Sequence, residues 1–280
     1  MLLNRSSRRH FVLAVIVALS VSSPTLAIQK KEKDKPAPRG TPVLWREPAD
    51  IASRDLFLGP GGASMRPDLR RITFVKEEKG GYSTKYRVKD GAGRVWVAKI
   101  GKEAQSETAA VRLLWAVGYH TEVNYLVPRL VIEGKGTFEN VRLEARPESV
   151  DRLDEWKWSD NPFVGTKELQ GLIVLMALLR QIKGSRNEPG DYASDKFVEG
   201  VEGGRVRLNF SGKNSGLMRD ITIEDARWLG GILSRLSDKQ LEDAFRAANY
   251  SPEDVRVLAA SVCGRINQLT GLAGGAAAPE

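Results

Sequence analysis

The stretch Arg94–Tyr119, RVWVAKIGKEAQSETAAVRLLWAVGY, changes periodicity partway along, and the reading of the fold turns on that change. Its first residues alternate as a strand does, with Val95, Val97 and Lys99 on one face and Trp96, Ala98 and Ile100 on the other. From Glu103 the apolar residues recur at helical spacing instead. Ala109, Ala110, Leu113, Leu114 and Val117 form one stripe, and Gly118 supplies a stop. Lys99 therefore shares a strand face with two valines. An ammonium in such a place either snorkels along its stem to water or meets an anion. Glu103 and Glu107, one turn apart on the helix, are the carboxylates within reach.

Outward from this stretch the pattern continues. Upstream, Ile72–Lys76 and Tyr82–Lys89 read as strands, separated by KEEKGG and joined to the Lys99 strand by the hairpin turn DGAG. Downstream, NYLVPRLVIEG and TFENVRLEAR read as two further strands around Gly134–Gly136. The segment DIASRDLFLGPGG, before the first strand, reads as a helical turn leading into a loop. The N-terminal half is thus a mostly antiparallel sheet with one helix inserted after its third strand.

The character changes at DEWKWSDNPFVG, a connector in which Trp156 and Trp158 either line a groove or plug the junction between the halves. The need to bury the connector against both halves favours the plug. Thr166–Ile182, TKELQGLIVLMALLRQI, is apolar around much of its circumference, the mark of a central buried helix. After a polar stretch, RVRLNF reads as a strand. Three helix starts come after it: Thr222 three residues before Asp225, Ser237 three before Gln240, and Ser251 with Pro252 at the first helical position.

Composition bounds the function. Of 280 residues, 41% are apolar and 28% charged, as in a globular protein. The net charge of +8 suggests nucleic acid until it is placed along the chain. Arg5, Arg8 and Arg9 carry three of these charges. Lys30–Arg39, five basic residues against two acidic, carries three more and leaves only +2 from Thr41 onward. No specific nucleic-acid partner is expected. Residues 1–27 read as a signal peptide: basic RSSRR, the apolar run FVLAVIVALSV, then small residues to Ala27. Eleven apolar-rich residues are too few to span a bilayer, which takes about twenty. SRRHFVL, Ser7–Leu13, resembles a twin-arginine export signal. The expected location is periplasmic or secreted, with no transmembrane span once the signal is removed. Residues 28–42 read as a disordered basic linker, able to touch anionic lipid or cell-wall polymer by charge attraction. Residues 271–280 read as a disordered tail. With Cys263 alone and only His120 beyond the leader, disulfides and Cys- or multi-His metal sites are excluded.

The order of strand, KGGYSTKY, hairpin, VWVAKIG, the helix EAQSETAAVRLLWAVGY and NYLVPRLVI resembles the small lobe of the protein-kinase-like fold, and in particular a group of exported bacterial kinase-like proteins. The likeness extends through ELQGLIVLMALL to DARWLGGILSRLSDKQLEDAFRAANYSPEDV, about 200 residues. It implies an α+β, two-lobed architecture: a small antiparallel β lobe with one helix over residues 43–150, and a mainly helical lobe over 151–270. It also implies ATP and magnesium as the cofactors of an active member. By position, Lys99 matches the phosphate-facing strand lysine and Glu107 its helix partner, with Glu103 the alternative because it can instead cap the helix. Gly80, Gly81 and Ser83 match the cover loop over the phosphates.

The second half of the resemblance is incomplete. A kinase-like chain offers a loop Asp, an Asn that ligates magnesium, and a strand pair ending in a metal-binding Asp before a Gly. Here the region reads RQIKGSRNEPGDYASDKF. Asn187 and Asp191 are the candidate metal ligands, Asp191 the candidate catalytic carboxylate and Asp195 a substitute. No Asp precedes Asn187 by four or five residues, and GDY lacks the Asp–Phe–Gly order. The resulting expectation is a kinase-like module, catalytically degenerate, that binds or regulates an unidentified protein or envelope component. The alternatives are a divergent magnesium- and nucleotide-dependent phosphotransferase, and an exported soluble domain of another kind.

Overall fold

A computed structural model describes residues 41–79, 83–147, 157–180, 196–210 and 215–273. Residues 1–40, which hold the expected signal peptide and most of the expected linker, and Gly80, Gly81, Trp156, Asn187, Asp191 and Asp195 lie outside these described residues. The chain is α+β, with a sheet-rich N-terminal region followed by a mostly helical one.

Five strands form the sheet: β1 (Thr73–Glu77), β2 (Thr84–Lys89), β3 (Val95–Ile100), β4 (Asn124–Ile132) and β5 (Gly136–Ala145). All pairings are antiparallel, and the spatial order is β1-β2-β3-β5-β4. Helix α1 (Glu103–Ala116) joins β3 to β4 and ends one residue short of Val117. The β2–β3 turn is built on Asp90. Its buried carboxylate accepts from Ala92 N, Arg94 N and Asp68 N at 3.0, 2.8 and 3.1 Å and from the Trp96 indole at 3.0 Å. Gly93, at φ +80, supplies the left-handed residue that this turn requires.

The sheet is cupped so strongly that its outer strands meet at one end. Thr73 bridges Glu133 just past β4, and Glu133 N donates to Ile72 O at 2.9 Å. Trp96, Val88, Val141, Leu143, Leu130 and Ile132 pack inside the cup. This is the strand alternation expected from the sequence, with Trp96 and Ala98 turned to the apolar side.

In the second region α2 (Lys167–Arg180) is the central helix, with Leu172, Val174, Leu175, Ala177 and Leu178 fully buried. A hairpin of β6 (Val198–Glu202) and β7 (Arg205–Leu208) comes next, turning on Gly203 and Gly204 at φ +56 and +76. The sequence reading took only the second of these strands. Helices α3 (Ile223–Leu233), α4 (Asp238–Arg246) and α5 (Pro252–Thr270) begin at the expected caps. Thr222 and Ser237 each form a reciprocal capping box, and Ser251 accepts from Asp254 N.

The two regions are not joined by the connector alone. Leu44, Ile51 and Leu56, ahead of the sheet, and Leu113, Leu114, Val117 and Tyr119, on and after α1, belong to the same core as α2 to α5. Polar bonds reinforce the junction. Gln240 donates to Ile51 O and Arg54 O at 2.7 and 3.0 Å, and Gln105 to Ala248 O and Asn249 O at 3.1 and 2.9 Å. The half-buried Trp158 packs against this core too, which suits a plug.

Candidate functional site

The convex counterpart of the apolar cup is a charged face, and β-sheet register dictates which residues share it. Lys99 lies opposite Lys85 on β2 and Arg142 on β5, and Val97 lies opposite Arg87 and Glu144. Asn124 on β4 completes the row beside Glu144. Helix α1 covers this face, so its ionic groups are withdrawn from water and must be matched in place.

They are matched. Lys99, 4% exposed, donates to Glu107 Oε1 at 2.7 Å and Oε2 at 2.8 Å. Glu103 Oε1 stands 3.3 Å from the same ammonium and accepts from the Ser83 hydroxyl. Arg142, 1% exposed, lies 3.8 Å from Glu107 Oε2 and bonds Glu144 at 2.6 Å. Arg146 pairs with both Glu144 and Glu122. Arg112 on α1 reaches the row through Asn124, donating to its backbone O at 2.8 Å and its Oδ1 at 3.3 Å. Lys99, Arg142 and Arg146 thus meet Glu103, Glu107, Glu122 and Glu144, while Arg112 joins the row through Asn124 and Arg87 pairs with Glu78 at the β2 side, and this interleaving of opposite charges permits so much charge under a helix.

Two groups show how the setting acts on ionisation. Burial drives the Arg112 guanidinium down to about 10, the Arg142 charge adding to the effect, so it stays charged at neutral pH. Burial works against the charged form of Glu103. The Ser83 hydroxyl, the residue's own backbone N–H and the Lys99 ammonium outweigh it and hold the carboxyl below the usual range.

Of the site residues expected from the sequence, Lys99 and Glu107 are brought together, with Glu103 as a second, longer partner. Of the expected cover loop, Ser83 is placed beside Glu103, and Gly80 and Gly81 lie outside the described residues. The same holds for Asn187 and Asp191. Among the described residues, no group of three or more His, Cys, Asp or Glu side chains is placed to hold a metal. None of their helices is long and apolar enough to cross a membrane.

Sequence reasoning missed the β5 half of the network. The signal was present in VRLEAR: Arg142 and Glu144 alternate with apolar residues on a strand that pairs with the Lys99 strand. It also missed that β6 and β7 are a strand pair, which places Asn209 and Phe210 directly after it. Comparison of the chain with models of protein families, with curated proteins and with solved structures gives no match.

Proposed function

We propose that this chain is an exported kinase-like module that has lost ordinary phosphotransfer and acts by binding a protein or a component of the cell envelope. The observation that carries the reading is the Lys99–Glu107 pair, closed at 2.7 and 2.8 Å between the third strand and the helix after it. In a kinase-like lobe this pairing orients a lysine toward nucleotide phosphates. The strand order β1-β2-β3-β5-β4, with the helix between the third and fourth strands, supports the same reading. So does the succession of buried helix, strand pair and three further helices.

The loss of catalysis rests on the residues directly after the strand pair. Where the kinase-like pattern sets a metal-binding Asp before a Gly, β7 runs into Asn209-Phe210-Ser211-Gly212. An amide brings a carbonyl oxygen and no charge to magnesium, whereas phosphoryl transfer needs the metal firmly held to neutralise developing charge. The missing Asp ahead of Asn187 points the same way. Export is inferred from the leader, residues 1–27.

Thermal unfolding of the purified chain with millimolar ATP, with and without magnesium, tests the reading. The expected result is no magnesium-dependent stabilisation and no transfer of labelled phosphate to protein or water. A magnesium-dependent shift that disappears on Asp191→Asn or Asp195→Asn would assign a phosphotransferase instead. Restoring the missing charge with Asn209→Asp is expected to introduce magnesium-dependent stabilisation where the parent has none.

A further inference from the structure

Resting on the reading of Lys99 as a phosphate-facing lysine, we propose that Glu103 occupies the phosphate's place at Lys99, as an intrachain anion that decides whether the site takes an anionic ligand at all. An ammonium has three N–H bonds. Lys99 directs two of them at the Glu107 oxygens, 2.7 and 2.8 Å away, and Glu103 Oε1 stands 3.3 Å from the same nitrogen. The two carboxylates are not equivalent. The Glu107 side chain is 19% exposed and lies within 3.8 Å of Arg142, so it is fixed from two sides. The Glu103 side chain, at 31%, is the more exposed of the two and is held by the Ser83 hydroxyl just before β2.

Gly101 shows how closely Glu103 and Ser83 pack against the link between β3 and α1. A β-carbon on Gly101 would lie 2.8 Å from Glu103 Oε2 and 3.3 Å from the Ser83 β-carbon. Lys99, Glu103 and Glu107 together carry one net negative charge. An incoming phosphate therefore meets a net negative charge around the lysine. Hydrogen bonding and the nearby ammonium keep Glu103 ionised at neutral pH, which maintains the repulsion. Opening the site requires Glu103, at the first turn of α1, to give up the Ser83 hydroxyl, its own backbone N–H and the Lys99 ammonium.

The probe is pyrophosphate, and separately ADP, each without magnesium, titrated calorimetrically into the full chain, Glu103→Gln, Ser83→Ala and the double variant Glu103→Gln/Lys99→Met. Glu103→Gln keeps the shape and removes the charge. Taking one like charge from beside the ligand is expected to tighten binding about tenfold or more over the parent. Ser83→Ala, which loosens Glu103 without neutralising it, is expected to gain less, and Lys99→Met is expected to abolish the gain. Circular dichroism and the unfolding midpoint of each variant establish that it is folded. Equal binding by parent and Glu103→Gln overturns the proposal and leaves the Lys99 reading standing. A gain that survives Lys99→Met overturns it by placing the anion elsewhere. Absence of binding in every folded variant overturns it together with the phosphate-facing reading of Lys99.

Discussion

Replacing Lys99 by Met is the sharpest test of the charged face. Met keeps most of the stem volume and deletes the ammonium, leaving Glu107 and Glu103 beside each other with Arg142 3.8 Å from Glu107 as the remaining counter-charge. Removing one member of a buried ion pair costs about 3–5 kcal/mol, because the other is left charged and desolvated. Glu107 keeps 19% side-chain exposure and the Arg142 contact, so the lower end applies. The expected loss is about 3 kcal/mol, or roughly 6–12 °C in the unfolding midpoint. Glu107→Leu strands the lysine and is expected to cost nearly as much. The double variant Lys99→Met/Glu107→Leu replaces the pair by apolar groups, and it is expected to lose about 2 kcal/mol less than the sum of the singles. Urea unfolding of the four proteins, with equal slopes as the check on two-state behaviour, measures this coupling. Additivity within about 0.5 kcal/mol would refute the reasoning, since that is what independent side chains give.

Four further outcomes are expected. Asp90→Ala should cost about 2–3 kcal/mol in urea unfolding, because the Trp96 indole N–H is left buried and unsatisfied and two turn amides lose their acceptor. Burial alone would raise the Asp90 pKa, but bonds from Trp96, Asp68 N and Arg94 N and the Arg94 charge outweigh it and lower the value. Its contribution to stability is therefore complete above the ordinary unfolded carboxylate range near pH 4 and is lost as pH falls through the lower folded value; a pH series on parent and Asp90→Asn reads this directly. Gly171→Ala in α2 would ordinarily gain about 1 kcal/mol from helix propensity, yet the new methyl meets the Trp228 ring, and a net loss of about 1–3 kcal/mol is expected in thermal or urea unfolding. Ser237→Ala removes one side of the α4 capping box and is expected to lower stability by about 1 kcal/mol, measured in the same way.

Local signals were legible in the sequence wherever one residue type settles the conformation. The turn at Asp90–Gly93, the three helix starts and the alternation around Lys99 are all set by neighbours in the chain. That Lys99 has Glu103 and Glu107 within reach was readable as well, because strand and helix are linked by two residues, while the choice of Glu107 came from the kinase-like resemblance. The contacts that escaped depend on pairings remote in sequence. Arg142 meets Lys99 only through β3–β5 register, and Gln240 meets Ile51 across 189 residues. Asn140, with φ +50 inside β5, is bonded to Asn249, with φ +57 in the turn after α4; Asn tolerates that conformation, but nothing local foretells a contact across 109 residues. The β6–β7 hairpin is the opposite case. Its Gly203-Gly204 turn was in plain view, and alternation in the strand before it was too weak to be recognised.

The placement of α1 has a consequence for how the protein can be taken apart. Its one side closes the charged face of the sheet, and its other side, with Leu113 and Leu114, is built into the core of the helices. A fragment cut at the connector, residues 41–147, would present Leu44, Ile51, Leu56, Leu113, Val117 and Tyr119 to solvent, an adhesive apolar surface with no partner. The chain should accordingly melt as one cooperative unit, and the sheet region should yield no independently soluble piece, although two architectures are visible in it.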